Sequence, residues 1–332
     1  MQITFFGTSG GVPTRRRNVA GIAVRLPQRG EWWLMDCGEA TQHQILRSDL
    51  SFSQLTRIFI THLHGDHIYG LPGLLATGRL AGNAPRTHIY APAGIEAYLR
   101  ACWRLTNAGD DFPIEIHTVT EGTIYEDEDF IVACRAVEHR VEAYAYSIAE
   151  RDRPGRFLVE EAEALGVPFG ALYGKLKRGE TVTLEDGRRI DGRTLTAAPE
   201  AGRRIAYSGD TTYCRAMVEL ARDADVLIHE ATFSVHDEQL ARRSSHATTT
   251  MAARVAQEAK VKSLLLTHFS PRYARGTDIE PEDLLREAQE IFPATTMARD
   301  LLRIEIPRRR DAQADVEKDE KSAVKNSEVL NS

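Results

Sequence analysis

Three histidines and an aspartate fall within six residues, His62-Leu63-His64-Gly65-Asp66-His67, at the close of an apolar run at residues 58–60. No other stretch constrains the chain as tightly, because so many metal-capable groups in one loop demand a fold that brings further donors to the same place. On extended backbone alternate side chains point the same way, so His62 and His64 face one point. Past Gly65 the chain turns, and Asp66 with His67 reaches a second point close by. Two adjacent clusters of imidazole and carboxylate suit a pair of divalent ions about 3.5–4 Å apart. With no thiolate in the set, zinc is expected first and manganese second, in place of a structural cysteine-rich site.

A two-ion site needs more donors, held at other strand ends and open to a cleft. His139 follows the run 131–137, Asp210 follows 205–207 through Ser208-Gly209, and His268 follows 264–267. Singly, each reads as an ordinary turn residue. Together they complete the set. Further short apolar or alternating runs, at 2–6, 22–26, 32–35, 88–90, 144–149 and 226–228, read as strands. Helical periodicity occupies 94–103, 248–258 and 283–291, the last opened by Pro281 and Glu282. Strands early and a strand–helix mixture later predict an α/β fold with sheets sandwiched between helices.

Residues 151–196 break this pattern. They are rich in Gly, Arg, Lys and Glu, and read as an inserted arm with a short helix around 159–165. From residue 308 the chain is charged and nearly free of aromatics, which predicts a disordered tail. The formal charge is −6, and the segment from Asp311 onward, with six acids and three lysines, accounts for half of it. Two bound divalent cations would reverse the sign of the remainder, so net charge does not exclude a nucleic-acid partner. No apolar run reaches the roughly 18 residues of a membrane span. The first residues run straight into a strand-like segment without an apolar leader, and Cys37, Cys102, Cys134 and Cys214 form no C-x-x-C pair. Reduced thiols and a cytoplasmic location are expected.

At these positions the sequence resembles a known family. H-x-H-x-D-H followed by three later donors marks the metallo-β-lactamase superfamily. The segments Phe6-Gly7-Thr8-Ser9-Gly10-Gly11-Val12-Pro13, Arg17-Asn18, Asp36-Cys37-Gly38-Glu39-Ala40-Thr41-Gln42-His43-Gln44, Ser208-Gly209-Asp210-Thr211 and His229-Glu230-Ala231-Thr232-Phe233 resemble the ribonuclease Z family of tRNA 3′-processing endonucleases. The resemblance implies an αββα metallo-β-lactamase sandwich over residues 1–307, with 151–196 as an inserted substrate-binding arm and 308–332 as tail. It implies that His62, His64 and His139 hold one zinc ion, that Asp66, His67 and His268 hold the other, and that Asp210 bridges them. It also implies a homodimer. Arg15 stands where family members often carry Lys, and Ala247 follows His246 where Ser is common; neither position is a donor.

The implied activity is removal of the 3′ trailer from precursor tRNA, leaving a 3′-hydroxyl on the tRNA and a 5′-phosphate on the trailer. Asp66 is the expected proton acceptor. Glu230 and His246 are the candidates for protonating the leaving oxygen, the carboxylate holding the imidazole in its donor tautomer. RNA contacts are expected at Arg15, Arg16 and Arg17, and in the arm at Gly166, Val167, Pro168, Lys175, Lys177 and Arg178, which resemble the family's exosite for the tRNA elbow. Distant phosphate contacts supply affinity without reading sequence. His43 is expected near the substrate, whereas His88, His117, His229 and His236 read as structural or exposed. The alternatives are a general phosphodiesterase or other small-molecule hydrolase of the superfamily, for which a basic arm has no use, and a metal-holding RNA-binding scaffold, against which the full donor set argues.

Overall fold

The computed structural model describes residues 1–80, 85–108, 113–153, 155–274 and 276–308. Apart from Arg308, the tail expected to be disordered lies outside the described residues. Apolar side chains on both parities of the early strands require a sheet covered on two faces, since successive strand residues point oppositely. In β1 (Gln2–Gly7), Ile3 and Phe5 enter one core and Phe6 another. After β2 (Gly21–Leu26), β3 (Glu31–Met35) repeats the division, Trp33 and Met35 against Trp32 and Leu34. β4 (Leu55–Phe59), β5 (Thr87–Ala91) and β6 (Ile114–Thr118) continue the sheet in parallel.

β7 (Gly122–Glu126), β8 (Phe130–Ala136) and β9 (Tyr144–Glu150) begin a second sheet. After the short hairpin of β10 (Thr181–Thr183) and β11 (Arg189–Asp191), the sheet resumes with β12 (Arg204–Tyr207), β13 (Val226–Glu230), β14 (Ser263–Thr267) and β15 (Thr295–Met297). β16 (Arg303–Glu305) returns to pair antiparallel with β1. The two seven-stranded sheets run β16-β1-β2-β3-β4-β5-β6 and β15-β14-β13-β12-β9-β8-β7.

One core joins the sheets. Trp33 meets Phe130 at 5.3 Å and Phe59 meets Tyr146 at 5.6 Å, ring to ring, beside Ile205, Ile228 and Leu265. The helices Leu71–Leu80 and Ile95–Thr106 cover the outer face of the first sheet, and Thr249–Ala259 with Pro281–Gln289 covers the second. Ala252, Ala253, Ala256 and Ala259 give the helix Thr249–Ala259 a narrow buried side. The result is the four-layered αββα sandwich. The last helix opens at Pro281, as the sequence reading has it, because proline suits a first helical position and Asp283 accepts from the Glu280 N–H at 3.0 Å. β6 and β7, absent from the sequence reading, are edge strands whose polar alternation hides them.

Residues Glu150–Gly202, with Arg308, form a second compact unit. It has its own core of Ala162, Val167, Leu176, Val182, Ile190 and Leu195, and contains the helices Val159–Ala164 and Ala171–Lys177. It is wider than 151–196 because its ends are paired: Arg153 bridges Glu200, and the Gly202 N–H donates to Asp152 Oδ1 at 2.8 Å. Among the described residues no helix is long and apolar enough to cross a membrane. All four cysteines are outside disulfides.

Candidate metal centre

β12, β13 and β14 are parallel, so their C-terminal ends open at one edge of the second sheet. Asp210 lies just beyond β12, Glu230 ends β13, and His268 follows β14 directly. β4 delivers the loop bearing His62, His64, Asp66 and His67 to the same place, and β8 delivers His139. Local backbone serves this convergence. His268 adopts a left-handed conformation, φ 59°, of the kind that clusters at functional sites. Gly209 has φ +57°, and a Cβ there would lie 2.7 Å from the Thr61 side chain.

The seven side chains converge as two groups of donors, His62, His64, His139 with Asp210, and Asp66, His67, His268 with Asp210; within each group all donor atoms lie within 4.8 Å of one another. In the first, His64 Nδ1 is 3.0 Å from His62 Nε2 and 3.2 Å from His139 Nε2. In the second, His268 Nε2 lies 3.3 Å from both Asp66 Oδ2 and Asp210 Oδ1, and His67 Nε2 is 3.5 Å and 3.3 Å from the same two oxygens. Asp210 turns Oδ2 toward His62, at 3.7 Å, and Oδ1 toward His67 and His268. His67 Nε2 and Asp210 Oδ1 are buried without a hydrogen-bond partner. Orphaned buried atoms are costly, and these are borderline and hard donors aimed at a common point. The residues therefore fit a divalent cation.

The opposite nitrogens are pinned. His67 Nδ1 donates to Asp36 Oδ2 at 2.8 Å, and His139 Nδ1 donates to the Ser245 carbonyl at 2.8 Å. His268 Nδ1 pairs with Thr232 Oγ1 at 2.8 Å, and His62 Nδ1 with Thr61 Oγ1 at 3.0 Å. Such contacts fix the tautomer that leaves a lone pair on Nε2. Asp36 is the hub: its carboxylate also accepts from the Thr61 N–H and the Tyr207 hydroxyl, each at 2.8 Å. Asp36 and Thr232 were not singled out in the sequence. The only signal was their place inside family-like segments, since a lone Asp or Thr at a strand end reads as a turn.

Charge follows burial and neighbours. Burial, reinforced by His67, pushes His62 down to about 2, and burial also lowers His64 and His139. His67 is the exception: burial opposes its charge, but Asp210, Asp36 and Asp66 outweigh it and raise the imidazole. Burial opposes ionisation of Asp66 and Asp210, yet His67 and His268 hold both well below the ordinary carboxylate range. The Gly11 N–H adds a 2.8 Å hydrogen bond to Asp66 Oδ2. Beside these groups, His246 Nδ1 is 2.8 Å from Glu230 Oε1. Burial disfavours the imidazolium, but Glu230 and then Asp210 prevail and raise it to about 9. Glu230 is locked by the Thr211 N–H at 2.7 Å, the Thr232 hydroxyl at 2.6 Å and the Ala247 N–H at 3.0 Å. His64, Asp66, Tyr69, Arg140, His246 and His268 line an open cleft.

The basic residues divide. Arg15 and Arg16 are exposed on a second, larger groove. Arg17 is turned inward: its guanidinium donates to Thr8 Oγ1 and the Ala298 carbonyl, both at 2.7 Å, and lies over Phe269. Within the second unit Pro168, Lys175, Lys177 and Arg178 are exposed, Val167 is buried, and Gly166 takes φ +75°. Phe169 is 90% exposed between them. His43 is exposed on the helix Thr41–Leu46 and has no place in either donor group.

Residues 1–149 match the sequence model of the family described as anti-Pycsar protein Apyc1, and residues 179–269 match that of the beta-lactamase superfamily domain. Over 308 residues the chain is 60% identical to a protein named Ribonuclease Z from a Cyanothece species, covering 93% of this chain and 96% of that one. A Nostoc protein of the same name is 59% identical over 311 residues, with 94% and 97% covered. Among solved structures, human tRNase Z, short form, superposes with a TM-score of 0.66 at 27% identity, covering 92% of this chain and all of that one. The metallo-beta-lactamase fold protein YhfI of Bacillus subtilis, with a TM-score of 0.64 at 18% identity over 92% and 99% of the two chains, shares the fold.

Proposed function

The chain belongs to the ribonuclease Z family, and from that premise we propose that it is an endoribonuclease that removes 3′ trailers from precursor tRNA using two zinc ions. The observation that carries this reading is the pair of donor groups joined at Asp210, one carboxylate oxygen toward each. His62, His64 and His139 would hold one ion, Asp66, His67 and His268 the other, with Asp210 between them. When bound, such a pair supplies a nucleophile at neutral pH and neutralises charge on the nonbridging oxygens of an in-line displacement. The chain's own groups do the rest. Asp66, kept ionised, takes the proton of the attacking water as its oxygen bonds to phosphorus. The bond from phosphorus to the tRNA 3′-oxygen breaks, and His246 hands that oxygen a proton. The tRNA keeps a 3′-hydroxyl and the trailer a 5′-phosphate. Glu230 is the positioning residue that holds His246 by Nδ1.

Arg15 and Arg16, and in the second unit Gly166, Val167, Pro168, Lys175, Lys177 and Arg178, are read as RNA contacts. Exposed lysines and arginines around the open Phe169 ring support this, since basic and aromatic groups together hold RNA by phosphate and stacking. Arg17 is read as securing the loop that carries Arg15 and Arg16. On the same reading 1–307 is the catalytic domain, 151–196 its substrate-binding arm and 308–332 a tail. That reading also makes the enzyme cytoplasmic and homodimeric.

Metal analysis with a trailer-bearing tRNA tests the whole. Two zinc ions per chain retained through exhaustive dialysis into metal-free buffer, and cleavage that drops sharply without residues 151–196, are expected. Equal turnover of a small phosphodiester by both chains, with tRNA left uncut, would replace this reading with a general phosphodiesterase. Sedimentation checks the dimer.

A further inference from the structure

β6 is the outermost strand of the first sheet, and its side chains are at most partly buried. It pairs in parallel with β5, setting His88 beside Glu115 and Tyr90 beside His117. Alternate strand residues share a face, so all four project on one side. There His88 Nδ1 lies 3.1 Å from His117 Nε2. One oxygen of Glu115 is 3.9 Å from the first nitrogen, and the other is 3.7 Å from the second. Donors about 2.0–2.1 Å from a tetrahedral zinc stand roughly 3.3 Å from each other, so small side-chain rotations would give these three groups the required spacing.

The rings are braced. His117 stacks on Tyr90 at 4.6 Å and 15°, and His88 lies within 19° of the His117 plane. The three donor side chains are 29–45% exposed, so an ion can arrive from solvent and complete its shell with water. None of them belongs to the seven-donor centre. Two cations stand nearby. Arg57 is engaged over Tyr125, at 4.0 Å, and 3.8 Å from Glu31, whereas Arg86, on a 72% exposed side chain, reaches Glu115 at 3.8 Å and is free to swing outward. Their charge sets the affinity below that of a buried, carboxylate-rich site.

We propose that His88, Glu115 and His117 form a separate surface site for a divalent d-block cation such as zinc, one that pins the edge strand β6 to β5. Two imidazoles and one carboxylate select zinc, nickel or copper over magnesium or calcium. Binding adds an ion-mediated tie to the backbone ladder and ring contacts between β5 and β6, and it stabilises the folded chain by mass action.

The test is equilibrium dialysis of the full chain against zinc with metal analysis, comparing the unmodified protein with His88→Gln and with His117→Phe, which keeps a ring on Tyr90. Each variant should hold one zinc fewer per chain, with that equivalent weakened at least ~tenfold and tRNA cleavage unchanged. Equal zinc content in all three folded proteins would overturn the proposal. A second measurement needs no variant: nickel added to protein that holds zinc only in its buried centre should broaden the His88 and His117 ring resonances before other histidines. Unperturbed resonances for those two rings would also overturn it.

Discussion

Asp36 shows how much of a metal centre rests on a side chain that touches no ion. It sits in the left-handed region, φ 56°, and accepts hydrogen bonds from His67, Thr61 and Tyr207 with no exposed surface. Asn tolerates that backbone but presents an amide where His67 needs an acceptor. Asp36→Asn should therefore weaken zinc binding about 10–100-fold while leaving the fold intact, measured by competition with a chelator. Asp127 argues for pH. Burial opposes its charge, but hydrogen bonds from Arg29, Tyr125 and the Asp129 and Phe130 N–H groups hold its folded pKa well below the unfolded value. Such a carboxylate contributes stability above about pH 4, lost as pH falls through the folded pKa. Asp127→Asn should cost roughly 1 kcal/mol at neutral pH, and its unfolding free energy should converge on that of the unmodified protein in acid. At this scale the donor side chains were legible as a set, because three histidines and an aspartate crowd one loop and give meaning to later strand-end residues that singly read as turns. Asp36 and Thr232 were not, because they act through other residues. Arg17 looked like its neighbours until packing separated it from them.

Elements explain why scattered positions meet. Three parallel strands ending together carry Asp210, Glu230 and His268 to one edge, so the spacing in sequence reflects one crossover per strand. The helix Thr249–Ala259 starts beside this edge, and its first turn is closed by Thr248, whose hydroxyl accepts from the Met251 N–H at 3.2 Å. Thr248→Ala should cost about 1 kcal/mol of stability in denaturant titration, a loss confined to the cap. Strands with a two-sided apolar pattern were legible with boundaries off by up to three residues, as in β4, read at 58–60 and found at Leu55–Phe59. β6 and β7 were not, because polar residues alternate on an edge that no second layer fully covers, and β15 and β16, three residues each, are too short to show a period. The segment 151–196 stands apart in composition, whereas backbone pairing between Arg153 and Glu200 leaves no mark in charge.

For the whole molecule, a centre whose donors come from four strand ends couples ion binding to global stability. A ligand at about a thousand times its dissociation constant adds roughly 4 kcal/mol to unfolding. Chelation should then lower the melting temperature by about 8–16 °C, at roughly 2–4 °C per kcal/mol for a domain of this size, in a calorimetric scan with and without chelator. The layered architecture was legible because both the donor motif and the two-sided strands require it.

The antiparallel pair Gln2↔Glu305 has a consequence for biosynthesis. On the ribosome the first strand leaves the exit tunnel roughly three hundred residues ahead of the partner on its outer side. Until that partner emerges, one flank of β1 stays open to neighbouring nascent chains, an invitation to edge-to-edge association. Among the described strands, β1 thus waits longest for its final backbone partner.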